Sequence, residues 1–263
     1  MKKLFFIFTF LYFCVLTSCA RKDVNPYQED HRASLIKLFR AGKKALVKKN
    51  YSEAIKNFET LDAIYPFNSY TQQTQLDIIY AYYKNEDIVS AIVAADRYIR
   101  LYPRGRHVDY AYYMRGILGF YYLGLSWVQK LVGVNPAFRD ISILQQSYKA
   151  FATLVDTFPQ SPYVSNALTH MKYIRNLMAK REIIIAQFYL KHCAYVAAAN
   201  RAAYVVQHFQ GSPEVIKGLA IMVQAYRALD LPKMADASYR LLKMNYPNSP
   251  ELRKFTHLKF FAN

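Results

Sequence analysis

The apolar positions of this chain recur in a fixed register. Ala54, Phe58 and Leu61 are followed by Pro66, so that small, aromatic, aliphatic and proline residues fall at offsets 0, 4, 7 and 12. Ala91 leads in the same way to Tyr98 and Pro103, Ser147 to Phe151, Leu154 and Pro159, and Ala235 to Tyr239, Leu242 and Pro247. Ala198, Ala202 and Val205 repeat the series with Phe209-Gln210 in place of the aromatic-proline pair. Offsets of four and seven lie on one stripe of a helix, and the proline beyond ends that helix because it has no N–H and clashes with the preceding turn. A partner helix precedes each: Ala45, Tyr82, Tyr189 and Tyr226 each stand nine residues before their small residue, and Gly42 stands twelve before Ala54, where two helices must approach closely. The pattern predicts five helix pairs.

This arrangement resembles the tetratricopeptide repeat, over residues 31 to about 250. The resemblance implies an all-α superhelical solenoid with three N-terminal repeats over 31–159, two C-terminal repeats over 160–250 and a tail over 251–263. Intervals between successive terminators are 37, 56, 51 and 37 residues. The third repeat therefore carries an insertion of about 19 residues around Leu125 to Ile143, and an extra stretch of helix, Val164 to Lys180, precedes the fourth. Such arrays present a concave groove and do no chemistry of their own, so the implied role is to hold a segment of another protein.

The first residues have a different pattern. Met1-Lys2-Lys3 is basic and Leu4 to Val15 is an uncharged run of twelve, shorter than the roughly 20 residues a membrane span needs. Leu16-Thr17-Ser18-Cys19 follows and resembles the lipobox of bacterial lipoproteins. On this reading residues 1–18 are a signal peptide and 19–30 an acylated tether. Cys19 carries a thioether-linked diacylglycerol and an N-acyl chain, enough for stable anchoring. Ala20 rather than Asp after the cysteine implies sorting to the outer membrane, with the anchor in its periplasmic leaflet.

Charge and cysteines refine this picture. The chain has 35 Lys and Arg against 18 Asp and Glu, a net +17, which becomes +15 once Lys2 and Lys3 leave with the signal peptide. Such an excess attracts nucleic acid, anionic lipid or an acidic protein surface. Export removes nucleic acid from that choice. Of the three cysteines, Cys14 is removed and Cys19 acylated, which leaves Cys193 without a disulfide partner. Its Ala-rich apolar surroundings predict a buried, inert thiol. The six histidines form no His-Glu-x-x-His pair and no metal-ligand spacing, and nucleophile-elbow, phosphate-loop and dinucleotide motifs are absent from the sequence. The expectation is a non-enzyme with no metal or diffusible cofactor.

A more specific resemblance rests on Tyr65-Pro66-Phe67-Asn68-Ser69-Tyr70-Thr71-Gln72-Gln73 and on Gln75 through Asn85. It extends through Asp109-Tyr110, Tyr113-Met114-Arg115-Gly116, Gly133-Val134, Arg139-Asp140, Ala194-Tyr195-Val196-Ala197, Asn200-Arg201 and Tyr246-Pro247-Asn248-Ser249. These segments resemble the BamD family, lipoproteins of the β-barrel assembly machine of Gram-negative outer membranes. Ile141, where that family has proline, and Gln210 are local departures. The resemblance implies that the N-terminal repeats receive unfolded outer-membrane β-barrel proteins, with Tyr65 and Arg100 as contacts for an aromatic residue and a carboxylate. The alternative for these two is that Tyr65 packs beneath Phe67 and Arg100 is a solvated helix charge. It also implies that the C-terminal repeats hold the POTRA domains of BamA, accessory lipoproteins joining them, with Arg201 as a contact beside an Ala-rich helix whose small side chains admit a partner. Other readings of the same features are a pilus-secretin pilotin, a peptidoglycan-linked division factor of tetratricopeptide type, or a basic helical-repeat RNA binder.

Overall fold

The computed structural model describes residues 26–122 and 141–255. Cys19, the signal peptide, nearly all of the expected insertion and residues 256–263 lie outside them. The described residues form helices α1 (Pro26–Val47), α2 (Tyr51–Ile64), α3 (Thr71–Lys84), α4 (Ile88–Leu101), α5 (Val108–Tyr122), α6 (Ile141–Thr157), α7 (Val164–Lys191), α8 (Tyr195–His208), α9 (Glu214–Ala228), α10 (Pro232–Asn245) and α11 (Pro250–Arg253). The fold is all-α, and two compact units divide it, Met1–Thr71 and Gln72–Asn263. That division falls at a different place from the one that repeat counting suggests at 159.

The predicted stripes are buried except at Tyr239, which is half-buried. Ala54, Phe58 and Leu61 in the first unit, and Ala91, Tyr98, Phe151, Leu154, Ala198, Ala202, Val205 and Leu242 in the second, are inaccessible to solvent. Each second helix stops two residues before its proline, or before Gln210 in the fourth pair, with an aromatic at the cap: Tyr65, Tyr102, Phe158, Phe209 and Tyr246. The cap N–H donates to the carbonyl four residues back, so the last turn closes before the chain departs. Gln210 shows that proline is not required. There α8 still stops at His208, and Gly211 takes the turn with φ +80°.

The turns inside four of the helix pairs are equally regular. Lys49, Glu86, Cys193 and Asp230 each adopt positive φ (58°, 63°, 58° and 56°), and the next residue is the N-cap. Asn50 and Asp87 accept from the backbone N–H three residues on, at 3.3 and 3.1 Å. Ala194 and Leu231 have no side chain able to do so.

Helix pairs differ in how they fill the space between them. A Cβ on Gly42 would overlap the Phe58 ring, and one on Gly116 would lie 2.5 Å from Phe151 Cε1. Ile79 faces the same register as Ala95, and Ala186 the same as Ala202, all four fully buried. Gly116 precedes Ser147 by 31 residues instead of twelve, which accounts for the insertion of about 19 expected in this pair. The Ser147 hydroxyl donates to the Gly116 carbonyl and pins α6 to α5.

The extra stretch before the fourth pair is not a separate element. It is the first part of α7, 28 residues and about 42 Å long at 1.5 Å per residue. Ala167 and Ile174 in its first half pack with Phe151 and Leu154. Its second half supplies Ala179, Ile183 and Ala186 to the core shared with α8 and α9. Beyond the expected repeats, Leu252 and Phe255 are buried in that same core, and Ser249 caps α11 by accepting from Leu252 N–H at 3.3 Å.

Candidate functional site

The first candidate region surrounds Tyr65. It caps α2, is half-buried, and its ring meets His31 of α1 edge-on at 6.0 Å. Phe67 is 98% exposed and covers nothing, so the alternative in which Tyr65 packs beneath Phe67 is not what the fold contains. The Asn68 side-chain amide donates to the Tyr65 carbonyl, Asn68 Oδ1 accepts from Tyr70 N–H at 2.7 Å, and Thr71 Oγ1 accepts from Asn68 N–H at 2.9 Å. Several residues of the most specific sequence segment are thus the chemistry of one turn. Phe39 of α1 stacks on Tyr70 at 4.5 Å.

Arg100 is in the second unit, exposed in the last turn of α4, where a cation is favoured by the helix dipole. Tyr65 and Arg100 therefore belong to different compact units.

Near Arg100 in sequence, though unanticipated, is a tyrosine-lined pocket of about 270 Å³. Gln73, Leu76, Asp77 and Tyr80 of α3, His107 and Tyr110 at the start of α5, and Tyr163 before α7 form its walls. Tyr110 and Tyr163 lie 5.7 Å apart, and Tyr163 stacks on Tyr113 at 4.7 Å. Tyr163 is placed by its neighbours: Ser161 donates to Asp109 at 2.8 Å and Tyr113 donates to Asn166 at 3.0 Å. Burial pushes the Tyr110 phenol well above its ordinary range, with Tyr163, Tyr80 and Asp77 adding to the effect. Burial, then its hydrogen bond with Tyr121, does the same to Tyr83. These phenols stay neutral at physiological pH. Sequence reading missed the site because its tyrosines lie off the stripe that carries the repeat, and each comes from a different helix or turn.

Arg115 is a buried charge with a structural assignment. Its Nε donates to Asp96 Oδ1 at 2.8 Å and its Nη2 to Gln146 Oε1 at 2.6 Å, which ties α4, α5 and α6 together.

The other candidate is Arg201 on α8. It has a partner within the chain: its Nη1 donates to Glu182 Oε2 of α7 at 3.0 Å, with the arginine side chain 48% exposed and the glutamate 14%. Both line an open cleft of about 230 Å³ with Gln145, Met178, Arg181, Ile185, Tyr204 and Phe209. Of the small side chains of this helix, Ala197 and Ala203 are half-buried and the other three face inward. Ala198, Ala199 and Ala202 are buried against the neighbouring helices, because close helix packing within the repeat needs them there. Cys193 departs from expectation: it is exposed, at the same left-handed turn position as the exposed Lys49, Glu86 and Asp230. The Tyr195 hydroxyl interacts with it, which raises the Tyr195 pKa. Among the described residues no group of three or more His, Cys, Asp or Glu could hold a metal ion.

A family model described as YfiO, outer membrane lipoprotein, matches residues 31–241. The outer membrane protein assembly factor BamD of Neisseria meningitidis serogroup B is 36% identical over 92% of this chain and 89% of that protein. BamD of Pasteurella multocida is 34% identical over 91% and 90%. The chain belongs to the BamD family. Among solved structures, a tetratricopeptide repeat protein from Parabacteroides merdae aligns over 84% of this chain and 70% of that one, with 11% identity and a TM-score of 0.38. Within the BamD family setting, the cleft around Arg201 and the tyrosine pocket are two separate surfaces of the second unit.

Proposed function

We propose that this chain is a non-catalytic, lipid-anchored factor that assembles β-barrel proteins into the outer membrane. The observation that carries the reading is the likeness to BamD assembly factors over 92% of this chain and 89% of the relative. In this reading Cys19 bears the diacylglycerol and N-acyl chain and holds the protein on the periplasmic leaflet. The N-terminal repeats take unfolded outer-membrane β-barrel proteins at surfaces that include Tyr65 and Arg100. The C-terminal repeats hold the POTRA domains of BamA, with Arg201 at the contact and accessory lipoproteins alongside.

The Arg201–Glu182 pair shapes the test. Reversing Arg201 to glutamate would set two carboxylates together inside the chain, so loss of binding could reflect local repulsion. Arg201→Gln removes the charge and keeps a polar side chain without that conflict. Glu182→Gln releases the guanidinium while keeping it in place. If Arg201 meets a POTRA carboxylate, Arg201→Gln weakens association with purified POTRA domains by about tenfold, and Glu182→Gln leaves it equal or tighter. Equal affinity for wild type and Arg201→Gln at low salt removes Arg201 from the contact.

A further inference from the structure

The tyrosine pocket has a chemistry opposite to that of most of this surface. The chain is strongly basic, yet no lysine or arginine lines the pocket, whose one carboxylate is Asp77. Asp77 is buried, held by Gln73 Nε2 at 3.0 Å. Asp109 stands close enough to Tyr163 to raise its phenol pKa, after burial, so a second carboxylate adds to the negative potential. Three phenol rings supply electron-rich faces. The same tyrosine surface already engages one cation of the chain itself: Lys84 Nζ lies 5.1 Å from the Tyr83 ring centroid and 5.7 Å from that of Tyr80.

An aromatic cage with a carboxylate in its wall attracts a cation and repels a chain terminus. A free C-terminal carboxylate entering here would meet Asp77 with no guanidinium or ammonium in the lining to receive it. We infer that this pocket receives an arginine or lysine side chain from an extended segment of a bound polypeptide. The inference rests on the client-binding reading of the N-terminal repeats and deepens it. It assigns basic side-chain recognition to Asp77, Tyr80, Tyr110 and Tyr163, leaving recognition of a terminal carboxylate to another surface.

The test uses the full mature chain in detergent and four fluorescent heptapeptides capped at both ends. They are identical except for a central arginine, lysine, norleucine or glutamate beside one phenylalanine. The arginine and lysine peptides bind about fivefold or more tightly than the norleucine peptide, and the glutamate peptide binds most weakly. Rising salt shrinks the advantage. Asp77→Asn, nearly isosteric, abolishes most of the advantage of the arginine and lysine peptides over norleucine. Because Asp77 is buried, circular dichroism of the variant is compared with wild type, and the salt series on wild type alone provides a reading free of any folding defect. Equal affinity of the arginine and norleucine peptides, or a preference for glutamate, overturns the inference. If no capped peptide binds while an uncapped peptide ending in phenylalanine does, the pocket assignment fails and client binding stands. If neither binds, both fall.

Discussion

His170 illustrates how one residue's surroundings set its chemistry. Its imidazole lies parallel to Phe151 at 5.6 Å and edge-on to Phe120 at 4.9 Å. Burial lowers its pKa below the ordinary value of 6.5. The unfolded chain therefore takes up this proton first as pH falls. The contribution to stability is whole above the ordinary histidine value and is lost as pH drops toward the depressed one. Thermal melts at about pH 7.5 and about pH 5.5 should show a larger fall in Tm for wild type than for His170→Gln. An equal fall in both would mean that the ring is protonated in place without cost. Residue-scale reading from sequence failed where backbone conformation decides. Lys49, Glu86, Cys193 and Asp230 share a left-handed φ but no side-chain property, so nothing in the composition around Cys193 reveals that its thiol points outward.

At the scale of elements, the repeat is a rule about volume more than about residue identity. The position twelve before the small residue and the one four after it share one space. Gly42 with Phe58 and Gly116 with Phe151 fill it from one side, Ile79 with Ala95 from the other. Gly42→Ile alone should overpack the first pair at a cost of about 1–3 kcal/mol. Phe58→Ala alone should open a cavity costing about 3–5 kcal/mol. The double variant copies the Ile79–Ala95 arrangement, so it should cost clearly less than the sum of the single ones. Denaturant titration of the four proteins measures the coupling, and strict additivity would show that the two positions do not share that space. The stripes and helix ends were legible because spacing and proline act locally. The continuity of α7 was not, since a helix that serves two successive pairs has no terminator between them. Nor was the inward face of α8: alanines permit close approach on either side of a helix, and only the packing of α7 and α9 decides which.

For the whole molecule, the tyrosine pocket and the Arg201 cleft give the second unit two surfaces of unlike chemistry, one aromatic and acidic, the other centred on an arginine. Under the proposed function one surface would hold a polypeptide client and the other a partner domain. Among the described residues no helix is long and apolar enough to cross a membrane; the proposed anchor is Cys19. The identity of a partner is the part least legible in sequence, because a docking surface is complementary to something the chain does not contain. Affinity capture of the full-length chain from detergent-solubilised outer membranes, with the co-purifying proteins identified by mass spectrometry, addresses this directly. The account predicts a stoichiometric β-barrel protein bearing POTRA domains; recovery of a secretin, or of peptidoglycan-linked proteins without any POTRA-bearing barrel, would contradict it.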